Sequence, residues 1–300
     1  MTPFQTHFLP GKRRLKIAQL LAALVLVGSP AAPVQNPSWL TPFPPFRIAS
    51  NLYYVGTRGL ASYLVTTPEG HILINSNLEA GVPLIRASVE QLGFRFADIR
   101  ILLISHSHYD HNAGSARIKE LTGARYLVME GDVATVRSGG RADFQYGADT
   151  AQHYPATSVD GVLRDGEEVR LGATVLKAHL TPGHTMGCTT WTMKVTEDGN
   201  TSDVVIIGSP NVNPGYRLVG NAAYPRIAED FEKTFRVLKS LPVDYFLGAH
   251  GSYFDMERKV ALMKQGARSP FIDPEGYRAY VADRERAFLA ELARQRSARR

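Results

Sequence analysis

Ile99-Arg100-Ile101-Leu102-Leu103-Ile104 runs straight into Ser105-His106-Ser107-His108-Tyr109-Asp110-His111, and the junction of these two stretches decides how the chain is read. The first is an apolar run of the kind expected for a strand buried on both faces. The second packs three His and one Asp into six residues, far denser than nine His in 300 residues would give by chance. In extended backbone alternate side chains share a side, so His106 and His108 can reach one cation. A turn after them would bring Asp110 and His111 round towards a second. Neutral imidazole and carboxylate suit zinc, and this stretch supplies four such groups. A solvated polar loop, or core histidines with satisfied hydrogen bonds, is the plainer alternative. It suits a lone His and not this density.

Two more histidines occupy matching places further along. His184 follows a predicted strand in Leu180-Thr181-Pro182-Gly183-His184-Thr185, and His250 follows Tyr245-Phe246-Leu247 in Gly248-Ala249-His250-Gly251. Ligands displayed in loops at strand ends can converge on one edge of a sheet. His7, His71, His153 and His179 lack that setting; His179, near His184, is expected to be buried or to support a ligand from behind. Short β-rich runs cover Leu52–Val55, Ser62–Thr66 and His71–Ile74, with later strands at Val175–Ala178, Thr189–Val195, Val204–Ile207 and Tyr245–Leu247. Helical spacing marks Val82–Leu92, Ile227–Ser240, Glu257–Gln265 and Tyr277–Gln295. Strands lead and helices close each half, which predicts a layered α/β domain with its helices outside.

The composition is that of an ordinary globular protein, with 44% hydrophobic and 21% charged residues. One cysteine, Cys188, excludes an intramolecular disulfide, a thiolate zinc cluster and a CxxC redox pair. It is expected to be a packed strand residue. The net charge of +6 falls away on inspection: residues 1–31 hold four basic and no acidic residues, leaving thirty basic against twenty-eight acidic beyond them. No basic stripe interleaved with aromatics remains, so nucleic acid is not an expected partner. Lys12-Arg13-Arg14, the apolar stretch Ile17–Val27, and Ser29 and Ala31 read as a signal peptide cleaved after Ala31. Eleven residues, interrupted by Gln19, fall short of the ~20 a spanning helix needs, so no stable membrane anchor is expected. Residues 32–46, rich in proline, predict an extended arm whose Trp39 and Phe43 pack on the core or fold over a pocket. Residues 47–300 are read as a single catalytic domain.

His106-x-His108-x-Asp110-His111, then His184, then His250, resembles the metal motif of the metallo-β-lactamase superfamily. The resemblance covers nearly the whole chain from about Phe46 onward. It implies an αβ/βα four-layer sandwich with a dinuclear zinc site at one edge between two sheets. Many superfamily hydrolases carry a bridging Asp after the strand that ends here in Gly208-Ser209-Pro210, and others a Cys. Ser209, with all three of His106, His108 and His111, is similar to the pattern of subclass B3 metallo-β-lactamases. Asn213-Pro214-Gly215-Tyr216-Arg217-Leu218 and Pro270-Phe271-Ile272-Asp273-Pro274 also resemble segments of that subclass. By this resemblance His106, His108 and His184 bind zinc 1, while Asp110, His111 and His250 bind zinc 2. The cysteine pair of some members is missing.

The activity so implied is zinc-dependent hydrolysis of the β-lactam ring of penicillins, cephalosporins and carbapenems by a metal-bound hydroxide, conferring antibiotic resistance. Asp110 would hold the hydroxide, Tyr216 is a candidate donor to the oxyanion, and Ser209 and Asn211 are candidates for the substrate carboxylate. For Tyr216 a packed turn residue is an equal alternative. The expected protein is a periplasmic monomer acting on a small molecule. An exported zinc hydrolase of a lactone or thioester is the second reading, and a non-catalytic metal-binding protein on the same fold the third. Serine routes find no support, since no Ser precedes Lys by three residues and no GxSxG occurs.

Overall fold

The computed structural model describes residues 1–3 and 36–298, and contacts divide the chain into Met1–Val34 and Gln35–Arg300. The signal peptide expected over residues 1–31 falls almost entirely outside the described residues. The second unit carries two sheets. Seven strands form the first in chain order: β1 (Phe46–Ala49), β2 (Leu52–Tyr54), β3 (Tyr63–Thr67), β4 (Gly70–Ile74), β5 (Ile99–Leu103), β6 (Arg125–Met129) and β7 (Gly161–Leu163). Five form the second, β8 (Glu168–Leu171), β9 (Thr174–Leu180), β10 (Thr189–Glu197), β11 (Asn200–Ile207) and β12 (Tyr245–Gly248), again side by side in chain order. Helices are α1 (Val82–Gln91), α2 (Tyr109–Asn112), α3 (Ser115–Thr122), α4 (Val133–Arg137), α5 (Ile227–Ser240), α6 (Met256–Lys264) and α7 (Pro274–Ser297). Among the described residues no helix is long and apolar enough to cross a membrane.

The layering follows from which face of each strand is apolar. On β5, Ile101 and Leu103 enter the core shared with the second sheet, while Leu102 meets the α1 residues Val82, Ile85 and Val89 and Ile118 of α3. Strands β4 and β6 alternate in the same way. Pairing of β4 with β5 skips from His71–Ile99 to Ile72–Ile101, so Arg100 is an extra residue in a bulge. That is why a charge can sit in an otherwise buried run: Arg100 is exposed. On β10, Trp191, Met193 and Val195 face inward, and the Trp191 indole donates to the Ile104 carbonyl at 3.1 Å. This bond ties the second sheet to the exit of β5. Phe231 and Phe235 of α5 meet Phe288 of α7 in stacked and tilted contacts.

The two sheets with flanking helices are the αβ/βα sandwich expected. The pairs β4–β5, β5–β6 and β11–β12 are parallel, so their carboxyl ends lie together. The arm departs from uniform extension where it is described, since Pro37–Trp39 makes a short 3-10 turn capped by the Asn36 side chain.

Candidate metal centre

The loop after β5 is held open by side chains from its neighbours. Asn75, in left-handed backbone at the exit of β4, accepts from the N–H and hydroxyl of Ser105 at 2.8 and 2.9 Å. Buried Asp132 accepts from the Ser107 N–H at 2.8 Å, the Thr185 hydroxyl at 2.9 Å and the Gly187 N–H at 2.9 Å. It thereby clamps the His106–His108 loop to the His184 loop. Burial pushes the Asp132 carboxyl up to about 6, against the Gly187 and Thr185 donors and His108. Helix α2 begins at Tyr109, with the His111 and Asn112 N–H groups on the His108 carbonyl, and its turn swings Asp110 and His111 beside the first two histidines. Gly183 allows the last approach: its backbone is left-handed, and a Cβ there would meet the Phe231 ring at 2.7 Å.

Six donors converge from three chain segments. His108 Nδ1 and His184 Nε2 are 3.1 Å apart, with His106 completing a buried set within 4.8 Å. Asp110 Oδ2 lies 3.3 Å from His111 Nε2 and 3.5 Å from His250 Nε2, and those two nitrogens are 3.0 Å apart. His106, Asp110 and His111 also fall within 4.8 Å of one another, so the two sets adjoin. The outer nitrogens set the tautomers. His184 Nδ1 sits 2.8 Å from the Asn211 carbonyl, which can only accept, so Nε2 carries the lone pair. His108 Nε2 faces the Asp143 carboxylate at 3.5 Å, which leaves the lone pair on Nδ1. Two lone pairs then point at each other across 3.1 Å, an arrangement that calls for a cation between them. Ligands at zinc distance in a tetrahedron are about 3.3 Å apart, so both sets fit the metal.

The charge states agree with that use. Burial, then the neighbouring imidazoles His111 and His184, holds His106 well below the ordinary range. Burial and His108 bring His184 down to about 3, and burial and His111 bring His250 to about 4. Burial alone would raise Asp110, but the charge and hydrogen bond of His111, with His250 and His108, hold it well below the usual carboxylate range. Burial likewise opposes the charged form of His108, yet the hydrogen bond and charge of Asp143 raise it. Three neutral imidazoles, His106, His184 and His250, beside an ionised carboxylate suit a cation, with His108 the exception.

Other expected residues fall in distinct places. Ser209 is 1% exposed at the end of β11 and lies 3.2 Å from the Tyr253 hydroxyl. Asn211 spans several partners: its carbonyl takes His184, and its amide donates to Tyr253 at 2.6 Å. The buried Tyr216 hydroxyl donates to the His184 carbonyl at 2.8 Å, so this atom already has a partner. His179 stands on β9 bonded to Thr192 at 2.8 Å and takes no part in either donor set. His71 is buried against Phe94, and His153 bonds to the Gly147 carbonyl at 3.0 Å. His7 lies outside the described residues. Cys188 is buried immediately before β10.

Sequence reasoning missed Asp132, Asp143, Tyr146 and Tyr253. Tyr146 stands with its ring 5.2 Å from that of His108, its hydroxyl accepting from Asn213 at 3.1 Å. Trp39 of the arm lies 5.8 Å from Tyr109 and 6.3 Å from His250, ring to ring, at the opposite end of the centre. Of these, only Tyr253 carried a signal, its place three residues after His250.

The fold and the two adjoining donor sets define a class of metal-dependent hydrolase scaffold, and the comparisons agree. The profile of the metallo-beta-lactamase superfamily matches residues 55–250, and the chain belongs to that superfamily. It is 55% identical to the native FEZ-1 metallo-beta-lactamase of Legionella gormanii, over 85% of this chain and 98% of that one, with a TM-score of 0.85. The class B3 di-zinc metallo-beta-lactamase LRA-12, from an Alaskan soil metagenome, is 32% identical over 86% of this chain and 97% of its own, with a TM-score of 0.82. A hydroxyacylglutathione hydrolase of Pseudomonas aeruginosa is 36% identical, but over 31% of this chain and 27% of its own length. The chain thus matches only about a quarter of that curated relative.

Proposed function

We propose that this protein is a subclass B3 metallo-β-lactamase that opens the ring of β-lactam antibiotics with two zinc ions per chain. The observation that carries the reading is the closed six-donor centre on a chain that matches FEZ-1 over nearly its whole length. In this reading His106, His108 and His184 hold zinc 1, and Asp110, His111 and His250 hold zinc 2. Bound there, zinc would supply Lewis-acid polarisation of a carbonyl and would lower the pKa of a water to about 7.

The chain's own residues do the rest. Asp110, ionised far into acid, accepts a hydrogen bond from the attacking water and so aims it. Asp143 fixes the His108 ring, and the Asn211 carbonyl fixes His184, so neither imidazole has to reorganise as charge develops. Tyr216 acts through the His184 carbonyl, as a positioning residue in place of the oxyanion donor considered from sequence. Ser209 receives the substrate carboxylate, while the Asn211 amide is taken up by Tyr253 and Ser209. Tyr146 and Trp39 flank the two ends and exclude water from one face each.

Residues 1–31 serve as a cleaved signal peptide in this reading, residues 32–46 as the arm carrying Trp39, and 47–300 as one catalytic domain working as a periplasmic monomer. The test is a side-by-side assay of the purified, zinc-loaded protein on a penicillin, a cephalosporin, a carbapenem, a thioester and a lactone. Faster turnover of β-lactams is expected, with loss on chelation and recovery with added zinc. A preference for the thioester or lactone over every β-lactam would overturn the reading in favour of another exported zinc hydrolase.

A further inference from the structure

Behind the centre, residues from three separate segments form a hydrogen-bonded cluster that no metal ligand requires. Tyr253 closes the 3-10 turn that follows His250, its ring 5.0 Å from the imidazole. Its hydroxyl accepts from Asn211 Nδ2 at 2.6 Å and lies 3.2 Å from Ser209 Oγ, which is itself 3.2 Å from the same Nδ2. Tyr280 of α7 stacks on Tyr253 at 5.1 Å, and Arg284 lies over the Tyr280 ring at 5.9 Å while reaching Asn211 Oδ1 at 3.5 Å.

Counting protons shows what this arrangement leaves over. Asn211 donates towards both hydroxyl oxygens. Tyr253 and Ser209 each bring one O–H, and only one of the two protons can lie between them. The other has no protein acceptor, and the buried Tyr280 hydroxyl has none either. A buried donor without an acceptor is costly. The cluster therefore holds surplus donors next to the metal centre, with the Arg284 guanidinium, itself paired with Asp283, beside them. An anion satisfies that surplus. The same cluster also spans both donor sets, from His184 through the Asn211 carbonyl and amide to Tyr253 and so to His250, in a chain whose position 209 holds no bridging carboxylate.

We propose that Tyr253 is a positioning residue with two effects: by occupying Asn211 it turns the Ser209 hydroxyl to the substrate carboxylate, and by packing on His250 it steadies the second donor set. The inference rests on the β-lactamase reading, and its experiment separates the two. Tyr253→Phe keeps the ring and removes the hydroxyl. With a cephalosporin bearing its free carboxylate, KM should rise about tenfold at nearly constant kcat, whereas the methyl ester of that cephalosporin should show no change in KM. In a Ser209→Ala background the Tyr253→Phe effect should largely vanish. Independently of any substrate, titration with zinc against a chromophoric chelator should find both affinities kept in Tyr253→Phe, while Tyr253→Ala weakens one of the two by about tenfold. Equal KM changes for acid and ester, or none for either, would overturn the carboxylate role. Unchanged zinc affinities in a folded Tyr253→Ala protein would overturn the second effect. If the parent hydrolyses no β-lactam, the β-lactamase reading fails and the carboxylate role fails with it, while the titration still decides the metal-steadying role.

Discussion

The two donor sets start from one seven-residue loop and differ in what holds them. In the first, the His184 outer nitrogen donates to the Asn211 carbonyl and His108 Nε2 faces the Asp143 carboxylate at 3.5 Å, while His106 Nδ1 is buried with no protein partner. In the second, His111 Nδ1 is buried with no protein partner, and His250 sits between the rings of Trp39 and Tyr253. Directional bonds specify orientation, and ring packing specifies position more loosely. Two of the first set's three imidazoles are thus braced by polar groups, whereas those of the second are held mainly by packing.

The sharpest way to break the second set is Asp110→Asn. It keeps the size and one oxygen but removes the charge proposed to orient water, so turnover should fall by about 10²-fold or more while the first set still binds zinc. Turnover near that of the parent would take Asp110 out of the chemistry. The first set is tested by Asp143→Asn. Loss of the carboxylate facing His108 should lower one zinc affinity about 10-fold, read by chelator competition. Unchanged affinity would reduce Asp143 to a staple for the N–H groups of Gln145 and Tyr146, which it accepts at 2.8 and 2.7 Å.

The smallest effect is on stability of metal-free protein. His184 and His250 titrate in the folded chain near 3 and 4, below the ordinary 6.5. The unfolded chain therefore binds more protons than the folded one between pH 6.5 and about 4. That contribution is whole above 6.5 and is lost as pH falls through this window. His106 acts in the same sense, while His108, held up by Asp143 against burial, and Asp132, held up by burial, act in the opposite one. A fall in Tm of several degrees from pH 7 to pH 4.5, reduced by bound zinc, is expected. A Tm that is flat or rises would contradict it.

The contiguous part of the centre was plain from sequence because alternation and one turn place four donors without reference to the rest of the fold. His184 and His250 were legible for a related reason, each standing just past a run of strand-forming residues. The bracing groups were not. Asp132 meets Thr185 and Gly187 more than fifty positions away, and Asp143 lies in a loop with no periodicity to mark it. The fold shows the same divide. Helix α5 coincides with its expected span, Ile227–Ser240, because apolar residues recur every three or four positions. Helix α3 and strand β6 passed unseen, joined through Gly123-Ala124 with no polar turn between them, and β7 is only three residues long.

Cys188 carries a consequence for how this protein is made. Its thiol is enclosed against the Ser209 backbone, whose N–H lies 3.2 Å away, and a Cβ on Gly208 would come within 2.9 Å of the sulfur. Burial, with the nearby Asp132 charge, pushes the thiol far up, so the reactive thiolate is scarce once the fold has closed. With no second cysteine in the chain, no covalent cross-link has to form, be proofread or be isomerised on the way to the native state. Folding of this chain therefore includes no disulfide step.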